Sequence, residues 1–261
     1  MQNPKNMIYR PDSSNRVDRL SAFFQVFDLS VSVSTCPTPG ADASMFVLGD
    51  SGELAQQLIL DTGKPKKPSP EGAALVGAAI SFGGPLNPLI AALPERLVVD
   101  LHESPALQAI TRVFVEEALH ARCGQSAAIG KLCEVILLMV LRQVIDCGTA
   151  APGLLAGLSH PALHRALVAM HDAPERPWRV EDLASVASMS RSQFMASFRL
   201  TVGTTPAAYL TAWRLMLGRR ALGNGEKIKA VAQRVGFGSA SAFSRAYMRT
   251  FGHPPIVARQ G

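Results

Sequence analysis

The sequence predicts an α+β fold: a small N-terminal β-barrel with helices, followed by an all-α C-terminal domain of two helix-turn-helix units joined by a long helix. Three observations carry this expectation. Residues 30–82 are short β-like runs separated by Gly, Pro and Asp clusters. Residues 104–144 place apolar side chains at helical spacing. The C-terminal part contains one pattern written twice, with Ala184 and Ala232 lying 48 apart and Phe194 and Phe243 lying 49 apart. The second copy has therefore gained one residue in its turn.

A chain of 261 residues with 48% hydrophobic content is long enough for two cores, and we divide it into domains 1–152 and 159–261. Residues 159–261 carry 14 Lys and Arg against 5 Asp and Glu, net +9, whereas residues 1–158 carry net −3. A basic half beside a mildly acidic half is the electrostatic footprint of a nucleic-acid module joined to something else. No apolar run is long enough for a membrane span, and Met1 to Arg19 has no signal-peptide pattern, so a cytoplasmic protein is expected.

The elements follow in order. Residues 1–19 read as a loose arm, and Leu20, Phe23, Phe24 and Phe27 fall on one face of a short helix. Val31 to Val33, Met45 to Leu48, Leu58 to Leu60 and Leu75 to Phe82 read as strands of a small antiparallel barrel or sandwich. A brief apolar piece, Pro88 to Leu93, precedes the helical region. Ser104-Pro105 is an N-cap and first-turn pair for a helix carrying Leu107, Ile110, Val113, Phe114 and Ala118. Gly124 breaks that helix and Ser126 opens the next. There Ile129, Leu132, Cys133, Ile136, Leu137, Val140, Leu141 and Val144 form a stripe broad enough to face either the core or a second subunit in a homodimer. Cys147 to Gly157 reads as a linker, and Ser159 as the N-cap of the first helix of the basic domain. The four cysteines, Cys36, Cys123, Cys133 and Cys147, lack the close spacing of a metal or redox pair and read as apolar fillers.

Each repeated position has a physical reason. Ala184 and Ala232 are small where two helices cross steeply. Ser188 and Gly236 stand in the turns, Met189 and Phe237 plug the corners, and Ser190 and Ser239 cap the incoming helices. Phe194 and Phe198, and likewise Phe243 and Tyr247, sit four apart on the buried face. The opposite face of each second helix is then the candidate DNA-binding surface: Arg191, Ser192, Met195, Ala196 and Arg199 in copy one, and Ala240, Ser241, Ser244, Arg245 and Arg249, with Met248, in copy two. Arg245 is the prime candidate for a base contact, since a guanidinium pairs bidentately with the O6/N7 edge of guanine. Arg191 and Arg199 are equally suited to phosphate or base. Between the copies, Thr205-Pro206 opens a rod that runs to about Leu222 and ends at Gly223-Asn224-Gly225, a length of about 26 Å at the helical rise. Two second helices set about 34 Å apart would reach successive major grooves. Arg214, Arg219 and Arg220 on the rod face either the intervening backbone or their own protein.

Residues 159–257 resemble the DNA-binding domain of AraC/XylS-type transcriptional regulators. The likeness is carried by Trp178 to Ala184, Met189 to Phe194, Gly203 to Pro206, Arg214, Val235 to Phe237, Ala242 to Tyr247 and Phe251-Gly252. Asp18 to Ser21 and Pro88 to Pro94 are similar, more weakly, to the cupin-type effector domain that precedes this module in one subgroup. The resemblance implies sequence-specific binding to double-stranded promoter DNA, contact with RNA polymerase, and activation in response to a small-molecule effector, whose binding residues the sequence does not identify. It implies no catalytic residues, metal or other cofactor; no His-x-His pair of a metal-binding cupin is present in the sequence. The alternative is a regulator sensing redox state or electrophiles through cysteine, with Cys36 as its thiol.

Overall fold

The computed structural model describes residues 20, 24, 30–33, 41–49, 55–62, 73–81, 93–148 and 152–256. The expected N-terminal arm, most of the Leu20 to Phe27 helix, the Pro88 to Leu93 piece except Leu93, and Cys36 lie outside these residues. Leu20 and Phe24, which are described, pack against the main core.

Strands β1 (Ser30–Val33), β2 (Ala43–Gly49), β3 (Ala55–Asp61), β4 (Ala73–Ser81) and β5 (Arg96–Asp100) form an antiparallel sheet in the order β1-β4-β2-β3-β5. Side chains alternate across it because successive residues of a strand point to opposite faces. Met45, Val47, Leu58, Leu60, Val76, Ala78 and Ile80 join the main core, while Phe46, Leu48 and Ile59 cluster on the other face. The fifth strand is not among those expected from the sequence. Its five residues are too short to show a period. It is held by pairing with β3, where Asp61 opposes Arg96, and the Arg96 guanidinium donates to both Asp61 oxygens at 2.7 and 2.8 Å. Two residues 35 apart in sequence make that bond, so no local window reveals it.

Two helices cover the sheet. In α1 (Pro105–Leu119) the Ser104 hydroxyl accepts from Leu107 N at 3.4 Å, and Pro105 occupies the first position. The next helix, α2 (Gln125–Cys147), starts one residue before the expected Ser126. Gly124 precedes it in the left-handed region, and the Gln125 amide donates to the carbonyls of Glu117 and His120 at 2.8 and 3.1 Å. Gln125 thus satisfies the open end of α1 instead of leaving a serine to cap α2. The apolar stripe of α2 is buried within its own chain from Ile129 to Val144, with Leu132 packed at its edge. Of the described cysteines only Cys133 is a buried filler, its thiol pushed up to about 12 by burial; Cys123 and Cys147 are exposed, contrary to expectation.

The expected linker contains a buried helix, α3 (Leu154–Ser159), in which Leu154, Leu155 and Leu158 are buried. Ser159 ends this helix, its hydroxyl donating to Leu155 O at 2.9 Å, and does not cap the next. For α4 (Leu163–Asp172), His160 serves in its place: Nδ1 accepts from Ala162 N and Leu163 N at 3.1 and 3.2 Å. The Gly and Ala composition masked three leucines that tertiary burial recruits.

A continuous core runs from the sheet through α2, α3 and α4 to Phe194, Phe198 and Trp213. A second, separate core gathers Leu215, Leu222, Val231, Phe243 and Tyr247.

Candidate nucleic-acid interface

The first unit consists of α5 (Val180–Val186) and α6 (Arg191–Val202), the second of α8 (Ile228–Arg234) and α9 (Ala240–Phe251). In both, the first helix has 7 residues and the second has 12. Their turns share one hydrogen bond. Met189 N donates to Ala184 O at 2.9 Å, and Phe237 N donates to Ala232 O at 2.8 Å. Each turn passes through positive φ, at Ser188 (55°) and Gly236 (83°). A left-handed residue is what reverses the chain so tightly, and Gly takes it without strain. At Gly236 there is a second demand: an added Cβ would sit 2.8 Å from the Glu175 backbone.

Both second helices are capped as their sequences imply. Ser190 Oγ accepts from Gln193 N at 3.3 Å and Ser239 Oγ from Ala242 N at 3.1 Å. Gln193 returns a carbonyl to Ser190 N, completing a capping box. Phe194, Phe198, Phe243 and Tyr247 are fully buried. With that face committed, the opposite face of α6 presents Arg191, Ser192, Ala196 and Arg199 to solvent, with Met195 half-buried. On α9, Ser241, Arg245, Met248 and Arg249 are exposed, while Ala240 and Ser244 are half-buried. Ser241, Arg245 and Arg249 recur every four residues and so form one stripe.

The units are joined by α7 (Pro206–Gly223), 18 unbroken residues with Thr205 Oγ1 accepting from Ala208 N at 3.2 Å. At the helical rise this is about 27 Å. Its N-terminal half gives Tyr209, Leu210 and Trp213 to the first core, and its C-terminal half gives Leu215, Ala221 and Leu222 to the second. Gly218 lets the helix approach Phe243: a Cβ there would lie 2.6 Å from the ring.

The structure decides one placement that the sequence left open and adds two that the sequence reading missed. Arg214 takes the inward of its two expected placements, donating to Pro174 O at 2.6 Å and Arg176 O at 2.8 Å, and burial lowers its pKa. His171 is buried, with Nε2 2.6 Å from the Tyr209 hydroxyl and its ring centre 4.4 Å from that of Trp213 at a tilt of 41°, and desolvation pushes its pKa down to about 3. Arg191 is ion-paired at 2.7 Å to Glu181 on α5. Each joins residues distant in sequence. The only local signal was the presence of a His and an aromatic in helices that otherwise read as core.

The geometry defines a class: tandem helix-turn-helix units on a shared helix, attached to an antiparallel β domain. Sequence comparison with known proteins agrees. Residues 183–261 match a helix-turn-helix domain family and residues 37–146 a cupin family. A putative AraC-like transcription regulator of Streptomyces lividans is 36% identical over 69% of this chain and 61% of its own length. The HTH-type transcriptional regulator AlkR of Acinetobacter baylyi is 34% identical over 67% of this chain and 58% of its own. A crystal structure of an AraC-type transcriptional regulator from Chromobacterium violaceum aligns with 30% identity and a TM-score of 0.37, over 38% of this chain and 90% of that one. The chain belongs to the AraC/XylS family of transcriptional regulators, with a cupin-type N-terminal domain. It spans about three-fifths of the length of the two curated relatives just named.

Proposed function

We propose that the protein is a sequence-specific DNA-binding transcription factor of the cytoplasm, dividing into domains 1–152 and 159–261. The single observation behind this is the twofold occurrence of the same capped helix, each showing a polar and basic face to solvent at opposite ends of one stiff helix. The N-terminal ends of α6 and α9 enter successive major grooves. Arg245 reads a guanine edge, and Arg199, Arg249 and the serines at 192, 241 and 244 hold phosphate or base edges. Arg191, Met195, Ala196 and Ala240 complete the surface, the apolar members by contact with thymine methyls. The cupin domain senses a small molecule and, through the continuous core, biases the first unit toward a DNA-competent placement. Activation through contact with RNA polymerase is what the family resemblance implies. Among the described residues no helix is long and apolar enough to cross a membrane.

The test is selection of bound duplexes from a random library with the full chain, followed by footprinting. Protection of about two helical turns per protomer is expected, with Arg245→Ala losing it over one turn. Absence of any selected sequence overturns the proposal.

A further inference from the structure

The two units are alike in backbone but not in charge. Residues 178–202 hold 3 Arg against Glu181 and Asp182, net +1. The matching residues 226–251 hold 5 Lys and Arg against Glu226, net +4. The largest single difference lies in the first helices. Glu181, in the first turn of α5, corresponds to Lys229 in α8, and Arg191, the first residue of α6, corresponds to Ala240 in α9. In the first unit Arg191 Nε lies 2.7 Å from Glu181 Oε1, with both side chains more than half exposed. In the second unit Arg234 is paired with Glu226 by two bonds of 2.7 and 2.9 Å. Lys227, Lys229, Arg245 and Arg249 are exposed, and no ion pair engages them among the described residues. Asp182 is committed to its own helix, accepting from Arg179 N at 3.2 Å.

Resting on the DNA-binding reading above, we infer that Glu181 is a positioning residue that holds and neutralises Arg191, so that the second unit anchors the protein on the DNA backbone and the first contributes little to phosphate neutralisation. Affinity for any duplex depends on the counterions released, and therefore on how many phosphates the protein neutralises. An arginine tied to a carboxylate adds a hydrogen-bonding fork at the groove without net charge. The first unit then contributes contacts made only where the bases fit, whereas the second, beside the base contact of Arg245, supplies most of the sequence-independent affinity. This also gives the pair a direction: Glu181 fixes the guanidinium from one side and leaves its remaining donors for a base edge.

The experiment measures binding of the full chain to a labelled random-sequence duplex of about 40 base pairs between about 50 and 200 mM salt, the range over which counterion release is read. Glu181→Gln should steepen the slope of log K against log salt by about 0.9 and tighten binding about fivefold near 150 mM salt. Lys229→Gln should make the slope shallower by about the same amount and weaken binding about fivefold. Adding Arg191→Gln to Glu181→Gln should cancel that gain and return affinity and slope to those of the wild type, which a merely structural role for Glu181 would not produce. If wild type binds and Glu181→Gln leaves affinity and slope unchanged, or the double variant keeps the gain of Glu181→Gln, the inference fails while the DNA-binding reading stands. If wild type binds no duplex, the parent reading fails and this one with it.

Discussion

Gly218 offers the sharpest test of how the two cores are built. An alanine Cβ at this position would stand 2.6 and 2.8 Å from the Phe243 ring and 3.4 Å from Val231. Ordinary carbon contacts lie at about 3.5–4.0 Å, so ring and helix must separate by about 1 Å. The ring cannot yield alone, because Phe243 is fully buried and sits 5.3 Å from Phe237 and 5.6 Å from Tyr247. Overpacking of a tight core costs about 1–3 kcal/mol, and replacing glycine within a helix returns about 1 kcal/mol. An immobile ring puts the overpacking cost at the upper end, about 2–3 kcal/mol, leaving a net loss of about 1–2 kcal/mol. Since Phe243 belongs to the second core alone, the loss should stay there. Native-state hydrogen exchange of Gly218→Ala should show amides of Val231, Ala232 and Tyr247 opening about 5- to 30-fold more often, while those of Phe194 and Phe198 keep their protection. Gly130 in α2 is the control, because nothing lies within 4 Å of its added Cβ. Gly130→Ala should stabilise by about 0.5–1 kcal/mol. Protection in the second core equal to or above wild type in Gly218→Ala would refute the reasoning.

Ser188 is the one described non-glycine residue at positive φ. Ser188→Gly should raise Tm, by relief of up to about 1 kcal/mol, since the lost contact to Arg165 at 3.2 Å is exposed. At the matching turn Gly236→Ala should instead lower stability by more than about 1 kcal/mol, because φ and the Glu175 backbone both oppose a side chain; equal effects at the two turns would contradict this account. Buried neutral His171 titrates at about 3 when folded, against an ordinary value of 6.5. Its contribution is therefore complete above pH 6.5 and is lost as pH falls toward 3, at about 1.4 kcal/mol per pH unit. Urea unfolding at pH 7 and 5 should show wild type losing about 2 kcal/mol more than His171→Phe; parallel losses would show that the imidazole is not held neutral.

Much of the helix-turn-helix architecture was legible because its signals are local. A small residue, a turn residue, a plug, a serine cap and two aromatics four apart each act within one or two helical turns. Writing them twice at spacings of 48 and 49 residues specified two units and the rod between them. Four of the five described strands were legible for the same reason, as apolar runs between turn clusters. What the tertiary structure decided lies between segments. The Leu154, Leu155 and Leu158 helix exists because α2 and α6 offer it a core; β5 exists because Asp61 awaits Arg96. Arg214 turns inward because the carbonyls of Pro174 and Arg176 need donors, and Glu181 meets Arg191 only once the turn at Ser188 has brought the two helices together. Short-range patterns survive in one dimension because their partners are neighbours in the chain, whereas a charge pair or a buried leucine acquires its meaning from neighbours that folding alone supplies.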